Sequence, residues 1–201
     1  MNTDALLNLL RQVQSGKMPL ETAMSELRHL PFEDVGYARI DHHRCTRTGV
    51  PEVIYCEGKT LGQIQGIVRK MAGFHANILA TRADQEVADA IRDTGLGYEY
   101  HDQARIVVVN PQPIEKKGNI AVITAGTSDI PVAEEAAITA ETLGNQVNRI
   151  YDAGVAGIHR ILDACDELFQ ANVAVVVAGM EGALASVVGG LAPCPVIGVP
   201  T

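Results

Sequence analysis

The sequence predicts an α/β protein whose second half is a doubly wound parallel sheet. Three observations lead there. Residues 119–201 alternate short Val- and Ile-rich runs with segments of helical periodicity. The strand-like runs are apolar on successive residues, as expected of strands covered on both faces. The loops after them carry glycines, hydroxyls and charges that packing alone does not require. In order, Asn119–Thr124, Gln146–Tyr151, Asn172–Ala178 and Pro195–Val199 read as strands. Between the first two, Ile130–Leu143 puts Val132, Ala136, Ala137, Ala140 and Leu143 on one helical face, with Glu134, Glu135 and Glu141 mostly opposite. Ile158–Phe169 repeats the pattern with Ile158, Ile161, Leu162, Cys165, Leu168 and Phe169. Right-handed crossovers then place helices on both faces.

Residues 1–118 read differently. Thr3 can cap a helix carrying Leu6, Leu7, Leu9, Leu10 and Val13 that stops at Gly16, and a second helix with Met24, Leu27 and Leu30 starts after Pro19. These form a helical arm, residues 1–30. A stretch over 31–51 is irregular and polar. Glu52–Cys56, Ile78–Thr81, Tyr98–His101 and Ile106–Val109 then read as strands, with helices near Leu61–Met71 and Ala83–Arg92, so 31–110 is a small α/β domain. Pro111 and Pro113 followed by Glu115-Lys116-Lys117-Gly118 make 111–118 the linker to the domain over 119–201.

Composition narrows the function. The 201 residues are 47% hydrophobic, enough for a sizeable core, and carry 16 Lys+Arg against 24 Asp+Glu, a net charge of −8. That is not a surface for nucleic acid. No apolar run spans a bilayer and the N-terminus lacks a signal peptide, so no membrane partner and a cytoplasmic location are expected. Cys45, Cys56, Cys165 and Cys194 form no Cys-x-x-Cys pair; most are expected to be buried thiols. From Gly118 onward there are nine acids and two cations, Arg149 and Arg160. A ligand that is an anion would therefore need Arg160, or help from the first domain.

Ligands of open parallel sheets bind outside the carboxyl ends of the strands. There the chain places Ala125-Gly126-Thr127-Ser128-Asp129, Asp152 through Arg160, and Gly179-Met180-Glu181-Gly182. The Gly126–Asp129 turn opens a helix, so Gly126, Thr127 and Ser128 suit a phosphate and Asp129 suits ribose hydroxyls; equally, Ser128 or Asp129 could cap the helix. His159 and Arg160 begin a helix, either as structural residues or as groups facing an anion. Glu181, between glycines, is a proton-transfer candidate if partly desolvated, and otherwise a solvated loop acid. Adjacent His42 and His43 diverge too far to chelate one metal. Arg44, Arg47 and Lys59 are either a solvated basic surface or contacts for an anionic substrate. Without Gly-x-Gly-x-x-Gly or a phosphate-loop lysine, dinucleotide oxidoreductases and nucleoside triphosphatases are disfavoured.

The segments Ile123–Asp129, Ala178–Leu184 and Pro195–Pro200 resemble the landmark segments of the aminoimidazole ribonucleotide (AIR) carboxylase, or PurE, family. Asp152-x-Gly-Val-Ala-Gly-Ile-His-Arg, Met180-Glu181-Gly182, Asp41-x-x-Arg44-x-x-Arg47-x-Gly and Glu52-Val-Ile-Tyr-x-x-Gly-Lys59 are similar to LarB, over nearly the whole chain. The resemblance implies a flavodoxin-like, PurE-like domain and the first step of nickel-pincer nucleotide synthesis, which serves lactate racemase. The substrate would be nicotinic acid adenine dinucleotide, carboxylated at C5 of its pyridinium ring with CO₂ or bicarbonate, with hydrolysis of the phosphoanhydride. It implies catalytic roles for Glu181 and His159 and substrate contacts at Gly126, Thr127, Ser128, Asp129, Asp152, Arg160, Gly179 and Met180. Arg44, Arg47 and Lys59 would add contacts from the first domain. Mg²⁺ would assist hydrolysis, with no ligand set legible; no tightly bound organic cofactor and a homo-oligomer are expected. In the family a nucleophilic cysteine follows the Val-Pro-Thr segment, so the resemblance implies a chain truncated at Thr201 that binds nucleotide without carboxylating it. The alternatives are a purine-pathway AIR carboxylase or mutase and a non-catalytic nucleotide-binding module.

Overall fold

The computed structural model describes residues 3–27, 32–42 and 44–201. Leu30, His43 and the side chains of Thr3, Leu6, Leu27 and Arg47, all invoked above, lie outside the described part. Helices α1 (Thr3–Gln14) and α2 (Leu20–Leu27) pack together, and Leu9 and Ala23 are buried. Leu10, Leu20 and Met24 remain exposed.

The stretch expected to be irregular is partly ordered. Strands β1 (Glu33–Asp34) and β2 (Arg39–Ile40) form a hairpin, followed by a short helix, α3 (Arg44–Thr48). Gly36, at φ +86°, turns the chain and donates its N–H to Asp34 at 2.8 Å. Side chains rather than periodicity hold this segment: Lys70 donates to Glu33 at 2.8 Å, His42 lies 2.9 Å from the same carboxylate, and Glu52 accepts from the Asp41 N–H at 2.6 Å.

The first sheet has the order β3–β4–β6–β5, from β3 (Ile54–Tyr55), β4 (Ile78–Thr81), β5 (Tyr98–His101) and β6 (Ile106–Val109). Only β3 and β4 run parallel. Helices α4 (Leu61–Ala72) and α5 (Gln85–Arg92) cover one face, burying Ile64, Val68, Met71 and Ile91. Thr60 and Gln63 close a reciprocal cap at the start of α4, and Asp84 caps α5. The strand expected over Glu52–Cys56 shrinks to two residues.

The second sheet is all parallel. Its strands are β7 (Lys117–Thr124), β8 (Asn145–Ile150), β9 (Val173–Ala178) and β10 (Val196–Pro200), in the order β10–β9–β7–β8. This is the flavodoxin-like order, with the reversal between β7 and β9. Helix α6 (Ile130–Thr142) covers one face through Ala133 and Ala137 on Val122 and Val177. Helices α7 (Ile158–Asp163), α8 (Cys165–Phe169) and α9 (Ala183–Leu191) cover the other, around Ile123, Ile150, Ala174, Val176, Ile161, Leu168 and Leu184. The single helix expected over Ile158–Phe169 is thus two. The chain leaves helical geometry at Ala164 (φ −92°, ψ 8°), whose N–H closes a tight turn on the Ile161 carbonyl. On its other flank α6 sends Ile138 into a cluster with Leu79, Ala104, Ile106 and Val108 of the first sheet.

Candidate active site

Parallel strands deliver their following loops to one edge of a sheet, and the order β9–β7–β8 brings three of them together. After β7, Gly126 is extended (φ −138°) and a 3₁₀ turn, Thr127–Asp129, leads into α6. Asp129 is 5% exposed. One carboxylate oxygen accepts the Gly126 N–H at 2.9 Å and the other accepts the Thr201 hydroxyl at 2.8 Å. Its side chain therefore reaches back to the start of the turn instead of capping α6 forwards. Thr127 and Ser128 stand exposed above it.

The loop after β8 is pinned to the first. Asp152 takes left-handed geometry (φ +56°), and its N–H donates to the hydroxyl of fully buried Thr124 at 2.9 Å. A Cβ on Gly154 would stand 2.6 Å from the Ala125 carbonyl oxygen, so only glycine lets the two loops touch. Arg160 places a guanidinium nitrogen 2.8 Å from the Asp152 carboxylate, with side chains 37% and 53% exposed. His159 is exposed beside it.

After β9, Met180 (φ +55°) and Gly182 (φ +65°) lift the turn off the sheet, leaving Met180 wholly exposed. Glu181 is exposed as well. The partial desolvation expected for it is therefore not present, because the two left-handed residues carry it away from the core. It stands on the rim of a groove of about 250 Å³ whose floor is Val176, Ala178, Ala185 and Gly198.

The first-domain cations are not drawn in. Lys59 folds back so that Nζ donates to the Tyr55 carbonyl at 2.5 Å, and Arg44 is exposed on α3. No hydrogen bond or ion pair among the described residues ties either to the three loops. The first domain instead reaches the second through Arg82, 3.4 Å from Glu135. Nor do Glu134 and Glu141 face away from the protein. Both pair with Arg149 of β8, at 3.0 and 2.7 Å, and the Tyr151 hydroxyl donates to Glu134 at 2.8 Å. Arg149 holds Glu141 below its ordinary value, chiefly by that hydrogen bond, while burial first and Glu134 second push Tyr151 up.

Two site residues escaped the sequence reading. Thr124 ends a strand as an apparent core position, and Thr201 follows the last strand. The rule that selected the other loops would have found Thr201, because the residue after β10 lies on the same edge. Among the described residues no three His, Cys, Asp or Glu side chains are grouped to hold a metal ion, and no helix is long and apolar enough to cross a membrane. Of the four cysteines only Cys56 is buried, its thiol pushed up to about 11 chiefly by burial; Cys165 and Cys194 are part-buried and Cys45 is exposed, so the expectation that most are buried does not hold. Cys194 precedes β10, at the end of the strand opposite Thr201.

A flavodoxin-like sheet whose loops after β7, β8 and β9 form one cluster defines the class: a doubly wound α/β domain with its candidate site at the carboxyl ends of the strands. The AIR carboxylase family matches residues 119–201, and the LarB/PurE-like N-terminal domain family matches residues 32–112. An uncharacterised protein of Methanocaldococcus jannaschii is 36% identical over 206 residues, covering 98% of this chain and 80% of that one. The chain belongs to the LarB family and carries its PurE-like carboxylase domain.

Proposed function

We propose that the protein carboxylates C5 of the pyridinium ring of nicotinic acid adenine dinucleotide with CO₂ or bicarbonate. It also hydrolyses the phosphoanhydride, giving pyridinium-3,5-biscarboxylate mononucleotide and AMP. Family membership supports the reaction class. The observation that carries the reading is the convergence of a buried acceptor (Asp129), a guanidinium (Arg160) and an exposed carboxylate beside an apolar groove (Glu181) on one sheet edge.

In this reading the N–H groups and hydroxyls of Gly126, Thr127 and Ser128 take a phosphate at the start of α6, and Asp129 takes ribose hydroxyls. Arg160, oriented by Asp152, holds a substrate carboxylate or phosphate. Gly179 and Met180 flank the bound ring. A pyridinium carbon is not a nucleophile, so a thiolate first adds to the ring, forming an S–C bond and neutralising it to a dihydropyridine. C5 then attacks CO₂. Glu181 removes the C5 proton, with His159 as a second proton-handling group, and expulsion of the thiolate restores the pyridinium. None of Cys45, Cys56, Cys165 and Cys194 follows a strand of this edge, so the thiolate role is assigned to none of them. Mg²⁺ would assist the hydrolysis by neutralising the pyrophosphate. The working form is a homo-oligomer.

The test incubates full-length protein with nicotinic acid adenine dinucleotide, ¹³C-bicarbonate and Mg²⁺, and weighs the products. A labelled mononucleotide plus AMP supports the reading. Turnover of aminoimidazole ribonucleotide instead would move the protein to purine chemistry, the second reading that the AIR carboxylase match favours. Binding without turnover of either would make it a nucleotide-binding module.

A further inference from the structure

We infer that Thr124 is a positioning residue of the site: by holding the Asp152 backbone in left-handed geometry it aims the Asp152 carboxylate, and through it the Arg160 guanidinium. The inference rests on the nucleotide reading above, in which Arg160 meets an anionic group, and adds to it the residue that sets where that cation stands. Thr124 closes β7, the strand at the reversal of the sheet order, with β9 paired on one side and β8 on the other. It is 0% exposed, and among the described residues Asp129 is the one other buried polar side chain. A valine would fill the same space after Val122 and Ile123. Burying a hydroxyl instead costs stability unless the hydroxyl is hydrogen-bonded, so its partner identifies its role.

That partner lies in the neighbouring loop. The β7–β8 register ends at Ile123 and Ile150, before the chain reaches Asp152. Beyond it Thr124 takes two successive N–H groups, its hydroxyl accepting from Asp152 at 2.9 Å and its carbonyl from Ala153 at 2.9 Å. Successive N–H groups of an extended strand point to opposite sides, so both can face one residue only if the chain turns between them. Asp152 makes that turn, at φ +56°. The left-handed region is sterically disfavoured for a residue with a Cβ, and the Thr124 hydroxyl is the contact that favours it here. Asp152 Oδ2 in turn lies 2.8 Å from an Arg160 guanidinium nitrogen. With side chains 53% and 37% exposed, Asp152 and Arg160 form a pair that solvent screens, which by itself fixes neither in place. The buried anchor of the series is Thr124, a side chain that does not itself reach the surface.

The experiment is a double-mutant cycle in full-length protein, read as the dissociation constant for nicotinic acid adenine dinucleotide by titration calorimetry, with the melting temperature of each variant recorded. Thr124→Val keeps the shape and removes the acceptor, and should weaken binding by about tenfold, the scale of one hydrogen bond. Thr124→Ser keeps the hydroxyl and should restore binding close to that of the parent. In an Arg160→Ala background Thr124→Val should cost nothing further, because its effect runs through the guanidinium. Thr124→Ala carries the same cycle if the valine variant does not fold. A merely structural threonine would give the same loss in both backgrounds, so general destabilisation does not imitate the result. Equal losses in the two backgrounds, or parent-like affinity in Thr124→Val, overturn the inference. Should Arg160→Ala itself bind like the parent, the anion role of Arg160 fails and the inference falls with it; a weakened Arg160→Ala beside an additive Thr124→Val condemns only the part assigned to Thr124.

Discussion

Arg160 closes on Asp152 at 2.8 Å over a loop in which Gly157 leaves the guanidinium room: a Cβ on Gly157 would stand 2.8 Å from Arg160 Nε. The pair is partly exposed and so exchangeable, and an incoming anion meets a cation already aimed along the sheet edge. Arg160→Ala is expected to weaken nicotinic acid adenine dinucleotide by roughly 10- to 100-fold, the range for hydrogen bonds to charged groups, and to flatten the salt dependence of binding. Calorimetric titration at two ionic strengths measures both. Parent-like affinity at low salt would remove Arg160 from the site.

Gly154 tests the contact between the first two loops. Gly154→Ala must push the loop after β8 away from the Ala125 carbonyl, at a cost of about 1–3 kcal/mol. The expected result is a lower urea midpoint together with weaker nucleotide binding. Loss of stability with intact binding would show that the loops act independently.

Glu181→Gln separates binding from chemistry. A positioned base contributes roughly 10²- to 10⁴-fold, so label incorporation from ¹³C-bicarbonate by full-length protein should fall by at least ~10²-fold while nucleotide affinity stays close to that of the parent. The exposure of Glu181 sharpens the claim, since its proton transfer depends on a ligand covering the groove. Undiminished carboxylation would falsify the assignment.

Arg149 makes an acid-sensitive clamp. Arg149, Glu134 and Glu141 are 29%, 15% and 25% exposed, and Arg149→Met should cost about 2–3 kcal/mol by leaving two part-buried carboxylates without their cation. The folded-state value of Glu141 is depressed below its ordinary 4.5, so its contribution is fully present above that pH and is lost as pH falls through the lower folded value. Urea midpoints measured downward from about pH 6 should decline more steeply in the parent than in Arg149→Met. Parallel slopes would mean that this pair does not govern acid stability.

The strands of the second sheet were legible because near-continuous Val and Ile runs such as Val173–Ala178 have one physical reading between turn residues. The break at Ala164 was not, because alanine carries no stop signal and both halves keep the same apolar face. Likewise 31–51 looked structureless because its order comes from long-range polar contacts, Lys70 and His42 on Glu33, which leave no periodic trace. At the site, strand ends pointed to Asp129, Asp152 and Glu181. Whether an acid is buried or exposed depends on backbone handedness at neighbours such as Met180, which composition does not reveal.

The placement of Ile138 has a practical consequence for dissection. Helix α6 begins at the Thr127–Asp129 turn and, two turns on, lodges Ile138 among Leu79, Ile106 and Val108. Expressed alone, residues 119–201 would bare that isoleucine, while the remaining half would expose the sheet face it covers. Cutting at the proline-rich junction would therefore leave freshly bared apolar surface on both pieces instead of two independent modules.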